Sequence, residues 1–312
     1  MHTTTQWKKR MIKIGFWTVL LGMCGGGILG SLFVLNGLVL AHQKHVVVGS
    51  ATHAAKQAAS QHEVKVLAYN IAKGFIHQGG FSFAPPDQVV QRLERIADVI
   101  RAEQPDLVFL SETIFECSPS PVNQVAALAE ATDMAAWGFG ENYNIGLPFY
   151  RLVGGNAILS RFPLEAVENI DLIGRQPFYV TTNNRRMLWC ATRVAGQRIL
   201  LAAVHTDSYS RANNLRQTRQ LLDYLDGQPA ILAGDFNANP SESSIQLLEH
   251  SGLFSGAFDG PLTFPAHAPE QRIDFIFAPK SWVLADHRVI QNQASDHFPV
   301  VSTFLIPNDQ EE

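Results

Sequence analysis

Hydrophobic positions along the chain fall into three regimes. Residues 14–41 form one apolar run without a charged side chain. That run exceeds both the roughly 20 apolar residues that cross a bilayer as a helix and the ~7–15-residue core of a signal peptide. Residues 42–61 (HQKHVVVGSATHAAKQAASQ) show little amphipathic period and read as a linker. Over residues 62–306, short apolar runs alternate with helical ones. Strands are expected at residues 64–69, 107–110, 157–159, 187–194, 199–204, 230–233, 274–277 and 300–305. Val89, Leu93, Ile96 and Ile100 step by four, three and four, as one face of a helix does, and Leu215, Leu221, Leu222 and Leu225 do similarly before Gly227. Residues 122–136 are Ala-rich and read as helix. Many strands with few helices predict sheets packed together with helices outside. A polar tail, 307–312, follows.

Charge divides the chain at the same place. Lys8, Lys9, Arg10 and Lys13 are the only charged residues before position 42. A basic flank of this kind stays cytoplasmic. Residues 1–13 then form a cytoplasmic flank, 14–41 a transmembrane signal anchor, and the remainder lies outside the cytoplasm. A long cleaved signal, ending near Val39-Leu40-Ala41 and releasing a secreted domain, is the alternative. Cys24 does not read as a lipoprotein cysteine, because bulky Met23 precedes it and the apolar run continues. Gly22, Gly26 and Gly30 share one helix face and could bring two anchors together as a homodimer. The rest of the chain has a net charge of -8, hidden inside an overall -4. Hydrophobic content of 46% with 17% charged excludes a disordered chain, and three cysteines exclude a disulfide scaffold. Cys117 and Cys190 could pair outside the cytoplasm.

Polar residues recur at the ends of the apolar strands: Asn70 (VKVLAYN), Glu112 (LVFLSE), His205 (ILLAAVH), Asp235 and Asn237 (AILAGDFN), Asp274 (RIDFIF), and Asp296 and His297 (ASDHFPVV). Strand ends are where a rigid scaffold presents reactive groups. Singly, each has an ordinary structural reading as a turn or cap residue. Together, these carboxylates, amides and imidazoles suit one hard cation and one phosphate. Oxygen donors select Mg²⁺, Mn²⁺ or Ca²⁺ over zinc.

In order, VLAYN, LSE, GNAILSRFP, LAAVH, GDFNANP, RIDFIF and SDHFPVV resemble the endonuclease/exonuclease/phosphatase superfamily over residues 62–306. This superfamily includes DNase I-like nucleases, neutral sphingomyelinases and inositol polyphosphate 5-phosphatases. The resemblance implies a four-layer αββα sandwich, an α/β fold of two packed sheets with outer helices. It also implies a Mg²⁺-dependent phosphoester hydrolase. Glu112 would be the main metal carboxylate, with Asn70 and Asp296 beside it. Asp235 and Asn237 would position the attacking water and a phosphate oxygen. His297 would be the essential histidine, oriented by Asp274, and His205 a second histidine at the scissile phosphate. Asn156, in GNAILSR, would lie near the same cleft.

The substrate is left open between a phospholipid headgroup and nucleic acid. Arg185-Arg186 with Arg211, Arg216 and Arg219 could form a basic patch, although the last three also fit a solvated helix face. Arg186 is the candidate phosphate contact. Phe75, Phe81 and Phe83, and Trp137, Phe139, Tyr143, Phe149 and Tyr150, are read as loop aromatics that could meet a bilayer interface. A non-catalytic tethered binding domain is the third reading, against which the intact set of acids and histidines stands.

Overall fold

The computed structural model describes residues 2–51, 62–79 and 82–307. The chain begins with α1 (His2–Val34), continued by a wider-wound turn over Leu35–Leu40, then β1 (Val47–Ser50) and β2 (Glu63–Asn70). A tight turn, Ala72–Phe75, leads to β3 (His77–Gly79), β4 (Ser82–Phe83), α2 (Pro86–Glu103), β5 (Leu107–Cys117) and α3 (Gln124–Ala131). Next come β6 (Ala136–Leu147), β7 (Tyr150–Ser160), β8 (Glu165–Asp171), β9 (Arg186–Val194) and β10 (Gln197–His205). The chain ends with α4 (Arg211–Leu225), β11 (Ala230–Asp235), α5 (Ser243–His250), β12 (Phe254–Gly256), β13 (Asp274–Pro279), β14 (Val283–Val289) and β15 (Val300–Leu305).

Two sheets stack, with strand orders β1-β6-β7-β5-β2-β15-β14 and β12-β13-β11-β10-β9-β8. Side chains alternate across a strand, and the core follows that alternation. Val64, Val66 and Ala68 of β2 and Leu107 and Phe109 of β5 face Leu201, Ala203, Ile231 and Ala233 of the other sheet. Their neighbours Leu67, Tyr69, Val108 and Leu110 point outward beneath α2 and α3. Leu200, Ala202 and Leu232 point outward beneath α4 and α5. The result is the expected four-layer sandwich.

Helix limits follow local chemistry. Pro86 opens α2, where its missing N–H costs nothing. Gln104, left-handed, ends that helix. Ser210 caps α4 by accepting the Asn213 N–H, and Asp226 ends it in the left-handed region.

Several expectations change. The helix expected over 122–136 stops at Ala131; left-handed Asp133 turns the chain, and β6 starts at Ala136. Trp137, Phe139 and Tyr143 therefore lie on a strand, and the last two are buried in the core. Phe149 and Tyr150, at the turn between β6 and β7, remain exposed. Within the stretch read as linker, Val47–Ser50 pairs antiparallel with β6. Residues 52–61, Phe81 and 308–312 lie outside the described residues. Cys117 and Cys190 are free thiols. They cannot pair, because Cys117 packs on the outer face of the first sheet and Cys190 between the two sheets. Residues 6–40 form one continuous helical segment of 35 residues, long and apolar enough to cross a membrane. Open space lies over Gly22, Gly26 and Gly30.

One part-buried contact gives the fold an acid-sensitive point. Arg272 Nη2 lies 3.1 Å from His287 Nε2, and His287 Nδ1 lies 2.9 Å from Ser302 Oγ. Arginine only donates, so Nε2 accepts and the ring is neutral. Burial, then the Arg272 charge, pull His287 down to about 4. The unfolded chain takes up this proton near pH 6.5 and the folded chain only near 4. Stability is thus present above pH 6.5 and lost as pH falls through 4. After allowance for solvent screening, the loss is on the order of 2 kcal/mol. Denaturant unfolding at pH 7 and pH 4 should show that this part of the loss disappears in His287→Gln.

Candidate active site

Strand register gathers the strand-end residues at one edge of the sandwich. Asn70 at the end of β2 is level with Ser111 of β5. His205 at the end of β10 is level with Asp235 of β11, which in turn is level with Asp274 of β13. Both β2–β5 and β10–β11 are parallel pairs, and the hydrogen bond from Asn70 at the end of β2 to Asp235 at the end of β11 puts their C-terminal ends at the same edge.

Glu112 reaches the site through a bulge. The β5–β7 register shifts between Leu110 and Thr113, opposite Asn156, and Glu112 takes a positive φ of 56°. A bulge of this kind re-aims a side chain at the cost of local strain. Its carboxylate ion-pairs with the Lys73 ammonium through Oε2, and Oε1 lies 3.9 Å from His205 Nε2. Burial raises the Glu112 pKa, but the Lys73, Arg185 and His297 charges outweigh it and hold the carboxyl below its ordinary range.

Asp235 is the hub. Its Oδ1 accepts the Asn237 backbone N–H at 2.9 Å, and its Oδ2 accepts Asn70 Nδ2 at 3.1 Å. Oδ2 also lies 3.5 Å from His205 Nε2 and 3.8 Å from His297 Nε2. Burial, reinforced by the Asp274 charge, raises Asp235 to about 6 in spite of His297 and the Asn237 N–H. Asn237 is itself left-handed, and its side-chain amide donates to Thr206 O. Asp296 is exposed next to the buried His297. One of its oxygens lies 3.2 Å from Ser295 Oγ, which donates to Asn70 O at 2.7 Å.

The two imidazoles are held in opposite charge states. His297 Nδ1 lies 2.9 Å from Asp274 Oδ2. Burial opposes its charge, but Asp274, Asp235 and Asp296 raise it to about 10. His205 is also buried, but Arg185 Nη1 lies 3.2 Å from its Nδ1. Burial first, then Arg185, Lys73 and His297, push His205 well below its ordinary value. An arginine at Nδ1 makes that nitrogen the acceptor, so the neutral ring carries its proton on Nε2, toward Asp235 and Glu112.

A cavity of about 660 Å³ reaches this group at Glu112 and His205. Lys73, Glu112, Asn142, Arg185 and His205 line its polar end. Ile76, Phe83, Ile114, Tyr143, Ile145 and Leu152 line its apolar wall.

Arg186 is turned away from this cavity. It is 2% exposed, with Nε 2.6 Å from Asp171 Oδ1 and Nη1 2.9 Å from Glu141 O. Its neighbour Arg185 takes the cavity position instead. Of the patch suggested from sequence, Arg211 pairs with Glu242 and Arg216 with Asn213 on α4. Asn156 is fully buried, donates to Arg186 O, and leaves its Oδ1 unpartnered. Lys73 and Asn142 were missed from sequence, and Arg185 was named there only within a basic patch.

The donor chemistry fits a hard divalent cation. Asp235, Asp274 and His297 bring one ligand atom each within 4.8 Å of one another. In that trio, however, His297 Nδ1 and Asp274 are engaged with each other, and both Asp235 oxygens already accept. Glu112, in contrast, opens to the cavity, with a side-chain ammonium as its counter-charge.

The sequence pattern of the Endonuclease/Exonuclease/phosphatase family matches residues 67–297. The uncharacterized protein YbhP of Escherichia coli (strain K12) is 28% identical over 262 residues, covering 77% of this chain and 95% of YbhP. An endonuclease/exonuclease/phosphatase from Beutenbergia cavernae superposes with a TM-score of 0.59 at 22% identity, covering 80% of this chain and 72% of its own. The mannosyl-6-phosphatase Bt3783 of Bacteroides thetaiotaomicron gives 0.57 at 18% identity, covering 78% and 100%.

Proposed function

Because the chain belongs to the endonuclease/exonuclease/phosphatase family, a family of hydrolytic phosphoesterases, we propose that it is a membrane-anchored, divalent-metal-dependent phosphodiesterase. The observation that carries this reading is the site's charge order. An open carboxylate, Glu112, stands beside one neutral and one protonated imidazole, with Asp235 between them. Pairs of titratable groups pushed apart in this way mark acid and base roles.

Glu112, with Asn70 and Asp296 as the further ligands the family resemblance implies, would hold Mg²⁺ or Mn²⁺, which when bound withdraws charge from phosphate oxygens. Asp235, ionised above about pH 6, accepts the proton of the attacking water, and the Asn237 side chain orients that water. His297 keeps its proton through Asp274 and presents Nε2–H to a phosphate oxygen. His205 offers a second, neutral Nε2–H. Arg185 and Lys73 add positive charge where a phosphodiester is anionic. The basic flank with residues 14–41 supports an anchor that leaves the catalytic domain outside the cytoplasm.

The test uses the full chain in detergent with bis(p-nitrophenyl) phosphate. Turnover should vanish with EDTA and return with Mg²⁺ or Mn²⁺. Activity indifferent to chelation would overturn the metal reading. Plasmid nicking that falls steeply with salt would move the substrate to nucleic acid. No turnover across metals and substrates would leave a tethered binding domain.

A further inference from the structure

The anchor is not joined to the domain by a free tether. Burial of the apolar helix against the domain begins at Leu32 and Phe33 and is complete at Asn36 and Gly37. Phe33 packs on Phe178 and Tyr179, with ring centroids at 5.2 and 5.9 Å. Gly37 lies so close to Phe178 that a Cβ there would come within 1.9 Å of the ring. Asn36 is the sole carboxamide in residues 14–41, a costly side chain in an apolar helix. It is fully buried and fully used. Its Nδ2 donates to Asn144 Oδ1 at 2.8 Å and to Gly146 O at 3.1 Å, and its Oδ1 accepts Arg151 Nη1 at 3.2 Å. Arg151 is itself fixed by two bonds to Glu116. Beyond the helix, His42 N donates to Glu141 Oε2, and Gln43 O accepts from Asn169.

Two of the groups that grip Asn36 line the catalytic cavity, Gly146 and Arg151, and Ile145, Tyr150 and Leu152 of the same hairpin line it too. The clamp therefore fixes the height of the cavity mouth above the membrane. A helix rising 1.5 Å per residue crosses the ~30 Å hydrocarbon core in about 20 residues. Counted from Lys13, that crossing ends near Phe33, where docking begins. The β6–β7 turn then sits at the outer interface with Phe149 and Tyr150 exposed, the level aromatics prefer.

We infer that the docked anchor holds the cavity mouth against the outer surface of its own membrane and that the enzyme draws in a phosphodiester-bearing lipid from that leaflet. The charged end of the cavity takes the phosphate, and the apolar wall of the β6–β7 hairpin takes the glycerol-proximal part of the chains. Asn36 and Gly37 are positioning residues in this device. The inference rests on the phosphodiesterase reading above and adds its substrate class.

The full chain is reconstituted in vesicles of phosphatidylethanolamine and phosphatidylglycerol carrying trace headgroup-labelled lipid, with Mg²⁺. Asn36→Leu and Gly37→Leu should each lower headgroup release at least tenfold. Both should leave bis(p-nitrophenyl) phosphate turnover within twofold. Equal losses on both substrates, or no loss on either, overturn the inference. Headgroup release absent from wild type with the soluble diester still turned over also overturns it and leaves the hydrolase reading intact. Absence of both activities removes the two together. A spin label on Phe149→Cys, in a Cys24→Ser background, gives a readout independent of catalysis. It should report the headgroup–acyl boundary in the parent and water in the two clamp variants. A fully aqueous label in the parent overturns the inference.

Discussion

Asp235→Asn is expected to lower kcat for a phosphodiester by roughly 10²–10⁴-fold, the range general acid–base groups supply, with little change in KM. The substitution keeps the shape of the side chain and the contact with the Asn237 N–H. It removes the one carboxylate poised, at about 6, to accept a proton near neutral pH. His297→Ala should fall in the same range, because it removes the protonated imidazole facing Asp235. Asp274→Asn is the more informative partner. It leaves the imidazole in place but takes away the charge and hydrogen bond that raise His297 to about 10. The alkaline limb of its pH–rate profile should therefore move toward neutrality, because His297 loses its proton at lower pH. Steady-state kinetics across pH with saturating Mg²⁺ check all three, with thermal unfolding as the control for folding. Wild-type kcat in Asp235→Asn would sink the assignment.

The same residues explain what the sequence made legible. Asn70, His205, Asp235 and Asp274 sit at the ends of apolar strands, and a strand end is a local feature of sequence. Register then brought them together without further information, because His205, Asp235 and Asp274 are level across three neighbouring strands. Glu112 was legible as a strand-end acid, although β5 runs on to Cys117 and the bulge alone turns the carboxylate into the cavity. Lys73 was not legible. It lies in a left-handed turn after β2, and nothing in AKGF announces that its ammonium meets a carboxylate 39 positions on. The strand β6 was hidden for a different reason. Alternating Gly and aromatic residues (AWGFG) read as a loop, whereas the glycines admit the other sheet: a Cβ on Gly140 would meet Asn169 at 2.5 Å. Asn36 carried a signal, a lone amide in an apolar run, but its partners lie 108 and 115 positions away.

Arg185 and Arg186 are expected to separate cleanly on substitution, although they are adjacent. Arg186 starts β9, and alternation along the strand direction turns consecutive side chains to opposite sides. Arg186 faces Glu141, which is fully buried, with Nη1 3.4 Å from Oε1. Breaking a buried pair by removing one partner costs about 3–5 kcal/mol, because the other charge stays buried without compensation. Arg186→Met should lower Tm on the order of 10 °C while the remaining folded protein keeps its kcat. Arg186→Met with Glu141→Leu should recover part of that loss. Recovery stays partial because Glu141 Oε2 also accepts the His42 N–H, one of the bonds that docks the end of the N-terminal helical segment on the domain. Arg185→Ala should do the reverse. It leaves Glu141 paired, so Tm moves little, but it takes a charge from the cavity and frees His205 Nδ1. With that neighbour gone, one cause of the low His205 pKa disappears and the imidazole protonates more readily. NMR titration of His205 in Arg185→Ala should show its pKa rising, with kcat/KM falling about tenfold or more. An Arg185→Ala protein that loses stability and keeps its rate would reverse the two roles.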